Sequence, residues 1–112
     1  ELRQQIDDPR IGIDVVFSSS TPPSPTNTDL YRAIEASVRQ HVEDAAVIPS
    51  VSTGFTDLRV FRRRGIPAYG FVPLLLEPED AARIHGNDER LAIDSLELAI
   101  QVLFTTVRGV CG

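Results

Sequence analysis

Asp94-Ser95-Leu96-Glu97-Leu98-Ala99-Ile100-Gln101-Val102-Leu103-Phe104-Thr105-Thr106-Val107-Arg108-Gly109-Val110 is the stretch on which the fold turns. Leu96, Ala99, Ile100, Leu103, Phe104, Val107 and Val110 recur at intervals of three and four, so they fall on one stripe of an α-helix. Asp94 with Glu97 three residues on is a capping arrangement at its start. A stripe this apolar has to be covered by another layer. The expected cover is a sheet.

Three stretches supply its strands. Residues 11–17 are β-branched and partly alternating, residues 46–49 are a short apolar run, and residues 68–72 are an apolar run bounded by Pro67 and Pro73. Between the first two, Leu30, Ile34, Val38 and Val42 recur every fourth residue, broadened by Ala33 and Ala45. That spacing predicts a helix of about sixteen residues. Thr26 is placed to cap it, and Asp29 sits in its first turn. Residues 57–64 predict a shorter helix with Leu58 and Phe61 on one side, ended by Gly65 and kept from continuing by Pro67. Arg62, Arg63 and Arg64 close it with cations that complement the helix dipole. Residues 1–8 read as the end of a helix stopped before Pro9, and 74–83 as a loop rich in Pro, Glu and Asp. The order β, α, β, α, β, α predicts an α/β fold, three layers of helix, sheet and helix.

Composition bounds what such a fold does. With 112 residues, 42% hydrophobic and 24% charged, the chain has the makings of one ordinary globular unit. Sixteen acidic against eleven basic residues give a net charge of −5, which argues against nucleic acid or an anionic membrane surface as the partner. No run of about twenty apolar residues is present to cross a membrane. The first residues are polar, and the chain has no methionine, so it reads as a piece of something longer. Its one cysteine, Cys111, excludes an internal disulfide and reads as a small apolar residue near the end of the last helix. His41, beside Arg39 and Glu43, reads as a solvated or locally paired helix histidine. Three prolines, Pro22, Pro23 and Pro25, within residues 18–25 make that stretch a semi-rigid hinge between two units.

The densest chemistry is at Ile84-His85-Gly86-Asn87-Asp88-Glu89-Arg90. A neutral imidazole binds a divalent metal through one ring nitrogen while the other is oriented by a carboxylate or carbonyl. His85 is therefore a candidate ligand, with Asp88 and Glu89 as candidate orienters. Gly86 allows a close backbone approach or a positive φ beside it. One histidine does not make a metal site, and neither an HExxH motif nor a cysteine pair is present to complete one.

Three blocks, Gly54-Phe55-Thr56-Asp57-Leu58-Arg59, Gly65-Ile66-Pro67-Ala68-Tyr69-Gly70-Phe71 and His85-Gly86-Asn87-Asp88-Glu89-Arg90, resemble in order and spacing the co-catalytic zinc metallopeptidase family of aminoacylases, carboxypeptidases, acetylornithine deacetylase and succinyl-diaminopimelate desuccinylase. The resemblance implies that residues 1–17 end an inserted lid or dimerisation domain, that 18–25 cross back from it, and that 26–112 form the C-terminal part of the catalytic domain. It implies that His85 is a zinc ligand at a site with two metals, in which cobalt or manganese is a possible substitute. It makes Gly54, Thr56, Asp57 and Arg59 candidates for contact with substrate, although Phe55 stands where many members have a second glycine. For Arg59, capture of a substrate carboxylate and a salt bridge to Asp57 or another acid are both open.

No catalytic base is expected within these residues. The family's His-x-Asp pair, bridging Asp and Glu-Glu pair have no match here, and belong upstream. In an intact enzyme of this kind two metals about 3.5–4 Å apart activate a water, which the Glu base directs at an amide carbonyl. The expectation is thus the C-terminal part of a zinc-dependent amidohydrolase or peptidase acting on a small peptide or an N-acyl amino acid, inactive alone, and self-associating through the exposed edge of 11–17. Two other readings are a non-catalytic α/β binding or assembly module and a short hydrolase with a Ser52, His85 and Asp57 triad. The latter lacks the G-x-S-x-G elbow.

Overall fold

The computed structural model describes residues 2–18, 20–51, 54 and 56–112. Glu1, Ser19, Ser52, Thr53 and Phe55 lie outside it, and with them the triad's serine and the Phe55 departure from the family motif. Among the described residues five helices follow in order: α1 (Leu2–Ile6), α2 (Asp29–His41), α3 (Leu58–Arg63), α4 (Pro78–Ala81) and α5 (Ile93–Cys111).

The expected three-layer α/β fold is not formed. Among the described residues there is no strand, and 11–17, 46–49 and 68–72 run as irregular backbone without a ladder. A strand exists only when a neighbour satisfies its N–H and C=O groups. None of these segments lies beside another in register, and Pro49, Pro67 and Pro73 remove donors at their ends. Side chains take part of the ladder's role. Ser24 Oγ donates to Ala68 O at 2.9 Å and accepts from Ala68 N–H at 2.8 Å.

What packs is one helix pair. Among the described residues, α2 and α5 are the only helices in contact. Among the described residues the buried hydrophobic ones are Tyr31 and Ile34 of α2 and Ala99 and Val102 of α5. Ser37 Oγ donates to Val102 O at 2.6 Å, and Thr106 Oγ1 donates to the same oxygen at 2.8 Å. His41 reaches across the pair as well, its Nε2 lying 2.9 Å from Thr105 Oγ1. The histidine is thus half-buried and paired across the two helices rather than solvated or paired with its neighbours in the chain.

The stripe expected to meet a sheet is largely in solvent. Of its seven residues only Ala99 is buried, while Leu96, Ile100, Leu103, Phe104, Val107 and Val110 are exposed. The buried face is instead Ser95, Ala99, Val102 and Thr106, because with no sheet to cover the apolar stripe, α5 settles on α2 along a narrow small-residue seam. The radius of gyration, 18.4 Å, exceeds the about 13 Å of a compact domain of this length.

Helix ends follow local chemistry with two corrections. Thr28, not Thr26, caps α2, its side chain accepting from Tyr31 N–H at 3.1 Å, and the helix is 13 residues long. Ala92 caps α5 without a side-chain bond, leaving Asp94 in the first turn. α3 ends as expected: Gly65 has φ +76°, Gly65 N–H bonds Arg62 O at 3.0 Å, and Ile66 N–H bonds Phe61 O at 3.1 Å. This is the paired closure of a left-handed C-terminus. α1 ends at Ile6, and Asp7 after it has φ +43°. Cys111 is the last residue of α5 and is exposed. Within the expected 74–83 loop, Pro78 starts the single turn of α4, with Glu79 and Asp80 at its N-terminus.

Candidate functional site

His85 stands on a tight turn between α4 and α5. The turn forms because Gly86 N–H bonds Arg83 O at 2.7 Å, an approach so close that a Cβ on Gly86 would lie 2.9 Å from the same oxygen. Gly86 thus supplies the close approach, whereas the positive φ falls on His85 itself, at +65°. A non-glycine residue in this left-handed region stores about 1–2 kcal/mol of backbone strain, and such outliers concentrate at functional sites.

Charged side chains tie the turn at both ends. Arg90 Nε donates to Asp80 Oδ1 at 2.6 Å, and Arg83 Nη1 lies 3.8 Å from Asp88 Oδ2. Glu89 Oε2 accepts the His85 backbone N–H at 3.3 Å. Of the two expected orienters, Glu89 is therefore held against the backbone of His85, and Asp88 turns to Arg83. His85, Asp88 and Glu89 are all solvent-exposed.

The Gly54 to Arg59 block forms a separate corner. Thr56 Oγ1 accepts from Leu58 N–H at 3.3 Å, and Asp57 stands at the N-cap of α3 without a side-chain cap bond. Arg59 places its guanidinium 5.7 Å from the Phe17 ring centroid, within the range of a cation–π contact. Thr56, Asp57, Leu58 and Phe61 line a shallow concavity. It shares no residue with the groove beside His85, which is lined by Val72, Leu74, Leu76, Asp80, Ile84, Glu89, Arg90 and Leu91. The two motif blocks are thus each built and open onto different surfaces.

The sequence reading missed the groove and the Asp80–Arg90 tie. The available signal was the alternation of Val72, Leu74 and Leu76, a two-residue period that puts three side chains on one side of extended chain.

The residues present do not fit a metal centre on their own. Among the described residues no three of His, Cys, Asp and Glu converge on a point that could hold an ion. His85 offers one imidazole and no more.

The description "Peptidase family M20/M25/M40" matches residues 7–109. The chain belongs to this family. Within the M20 group it is 32% identical over 110 residues to the N-fatty-acyl-amino acid synthase/hydrolase PM20D1 of Xenopus tropicalis, covering 96% of this chain and 22% of that protein. It is 26% identical over 110 residues to the probable carboxypeptidase S-like 2 of Dictyostelium discoideum, again 96% of this chain and 21% of that protein. Human PM20D1 is 33% identical over 61 residues, 54% of this chain and 12% of that protein. No solved structure matches. The chain spans about a fifth of the length of the first two of these relatives, and the M20 peptidases are the family that the three sequence blocks resemble.

Proposed function

We propose that this chain is the C-terminal part of an M20 hydrolase that cleaves the amide bond of an N-acyl amino acid or a small peptide, and that these residues alone are inactive. The observation that carries the reading is the family match across 7–109, which contains His85 on its strained, doubly tied turn. Relatives of both kinds, an N-fatty-acyl-amino acid hydrolase and a carboxypeptidase S-like protein, support amide hydrolysis as the common chemistry. His85 contributes one imidazole to a metal centre whose other ligands lie outside this chain. When bound, a pair of zinc ions, or cobalt or manganese, supplies an activated water. Residues 1–17 belong to a lid or dimerisation domain, 18–25 to the crossing between domains, and 26–112 to the catalytic domain. Gly54, Thr56, Asp57 and Arg59 form a substrate-facing corner.

The test is His85→Ala in the whole protein that carries this chain, with metal content by elemental analysis and hydrolysis of N-acyl amino acids measured side by side. Both fall together if the assignment holds. Full metal occupancy and full activity in the variant would remove His85 from the centre.

A further inference from the structure

Resting on the amide-hydrolase reading, we propose that the groove beside His85 takes the acyl chain of an N-acyl amino acid, with Ile84 and Leu91 setting the length that fits. Val72, Leu74 and Leu76 form one wall along the extended segment, and Ile84 and Leu91, at the two ends of the His85 turn, face them. The groove is open on one side, with a volume of about 460 Å³, inside the roughly 300–1,000 Å³ of small-molecule sites. Its polar residues hold one another or the turn in part: Arg90 Nε bonds Asp80 Oδ1, and Glu89 Oε2 accepts the His85 N–H. Val72, Ile84 and Leu91 remain 70%, 47% and 39% exposed, so the apolar walls are open to a ligand.

The occupant's chemistry follows from which groups are taken. A peptide laid along 72–76 would need backbone partners there, but Leu74 N–H bonds Val72 O at 2.9 Å, and both backbone groups of Leu75 are bonded to Ser95. Peptide amide groups facing these atoms would lose water without replacement, which costs free energy. An unbroken hydrocarbon chain carries no such groups and gains from every methylene that leaves water. Because the groove runs into the His85 turn, a tail lying in it brings the polar head of the same molecule, the amide and its amino acid, to His85.

The test titrates the chain with N-acetyl-, N-butanoyl-, N-hexanoyl- and N-octanoylglycine, following the amide signals of Val72, Leu74, Ile84 and Leu91 by NMR. Affinity is expected to rise up to about fourfold per added methylene until the groove is filled. Ile84→Ser and Leu91→Ser, both at exposed positions, flatten the series. Leu91→Phe moves the break to a shorter acyl chain, an effect that loss of folding cannot produce.

Affinity independent of acyl length, or equal shifts at the same amides with a capped peptide of matching length, overturns the proposal. Hydrolysis by the whole protein separates this from the parent reading. Turnover of N-acyl amino acids with KM indifferent to chain length sinks the groove and leaves the hydrolase. Length-dependent binding without any turnover by the whole protein keeps the groove and sinks the hydrolase.

Discussion

Ser95 Oγ lies 2.9 Å from both the backbone nitrogen and the backbone oxygen of Leu75. The Leu75 N–H donates to the hydroxyl, and the hydroxyl donates to the Leu75 carbonyl, so one side chain closes both backbone groups of a residue with no neighbouring strand. Ser24 does the same for Ala68. Ser95 thereby anchors the segment that carries Leu74 and Leu76 to α5, and Ser24 anchors Ala68 to the 18–25 stretch.

Ser95 is buried in the α2–α5 seam, so water does not readily replace its hydroxyl. Ser95→Ala should cost about 1–3 kcal/mol by stranding the two groups of Leu75, with Ser95→Thr losing less. Urea denaturation followed by far-UV circular dichroism measures the difference. An unchanged midpoint in the alanine variant would mean that solvent already serves Leu75.

Gly65 isolates a backbone effect. At φ +76° a side chain is disfavoured, yet a Cβ there would meet nothing within 4 Å, so Gly65→Ala adds strain without a clash. The expected loss is about 1–2 kcal/mol, read as a shift in the thermal midpoint. A loss well below that range would indicate that the end of α3 rearranges instead.

How far the sequence could be read depended on whether each signal was local. Gly65 and the stop before Pro9 are set by neighbours in the chain, and both lie where the pattern puts them. The sequence points to Thr26 as the α2 cap because Asp29 follows it by three. Thr28 takes that place because its hydroxyl, lying 2.5 Å from Tyr69 OH, is held by a residue 41 positions away. The strands at 11–17, 46–49 and 68–72 carry the right residues but find no ladder partner, and a periodicity cannot announce whether a partner exists. The stripe of α5 was legible as a stripe. Which side of α5 would be covered depended on α2, through Ser37 and Val102. His85 was legible as a candidate ligand from its motif, whereas its positive φ and the Asp88–Arg83 pair are properties of the folded turn.

Ile11, Val15, Val16 and Phe17 are all more than half exposed on irregular backbone. An exposed apolar patch of this kind marks an interaction surface, so the chain is expected to self-associate, its mass by light scattering rising with concentration. Val15→Lys with Val16→Lys should return it to monomer. A constant monomer mass for the unaltered chain would count against this patch as an interface.

Asp8 and Arg10 make a local pH probe. The Arg10 side chain, bonded to both carboxylate oxygens at 3.0 and 2.7 Å, and then its backbone N–H, hold the Asp8 carboxyl below its ordinary value of 3.8. A depressed carboxyl stabilises the folded turn fully above its unfolded pKa, and this contribution disappears as pH falls through the lower folded pKa. Carbon-detected NMR titration should therefore find Asp8 ionising below 3.8, and Arg10→Ala should move the midpoint upward. An identical midpoint in the variant would show that the pair does not persist in water.

The strain at His85 makes a prediction in which stability and function part. The residue is exposed, its backbone N–H rather than its ring bonds Glu89 in the turn, and its φ of +65° is one that glycine adopts freely. His85→Gly should leave stability unchanged or raise it by up to about 1 kcal/mol, relief of the left-handed strain being partly offset by the greater freedom of glycine in the unfolded chain. Gly86→Ala should act the other way, since its Cβ must push Arg83 O aside from 2.9 Å. If the imidazole serves a metal centre, His85→Gly in the whole protein loses activity while its thermal midpoint holds or rises. If the histidine serves only the turn, the variant keeps its activity, and stability alone responds.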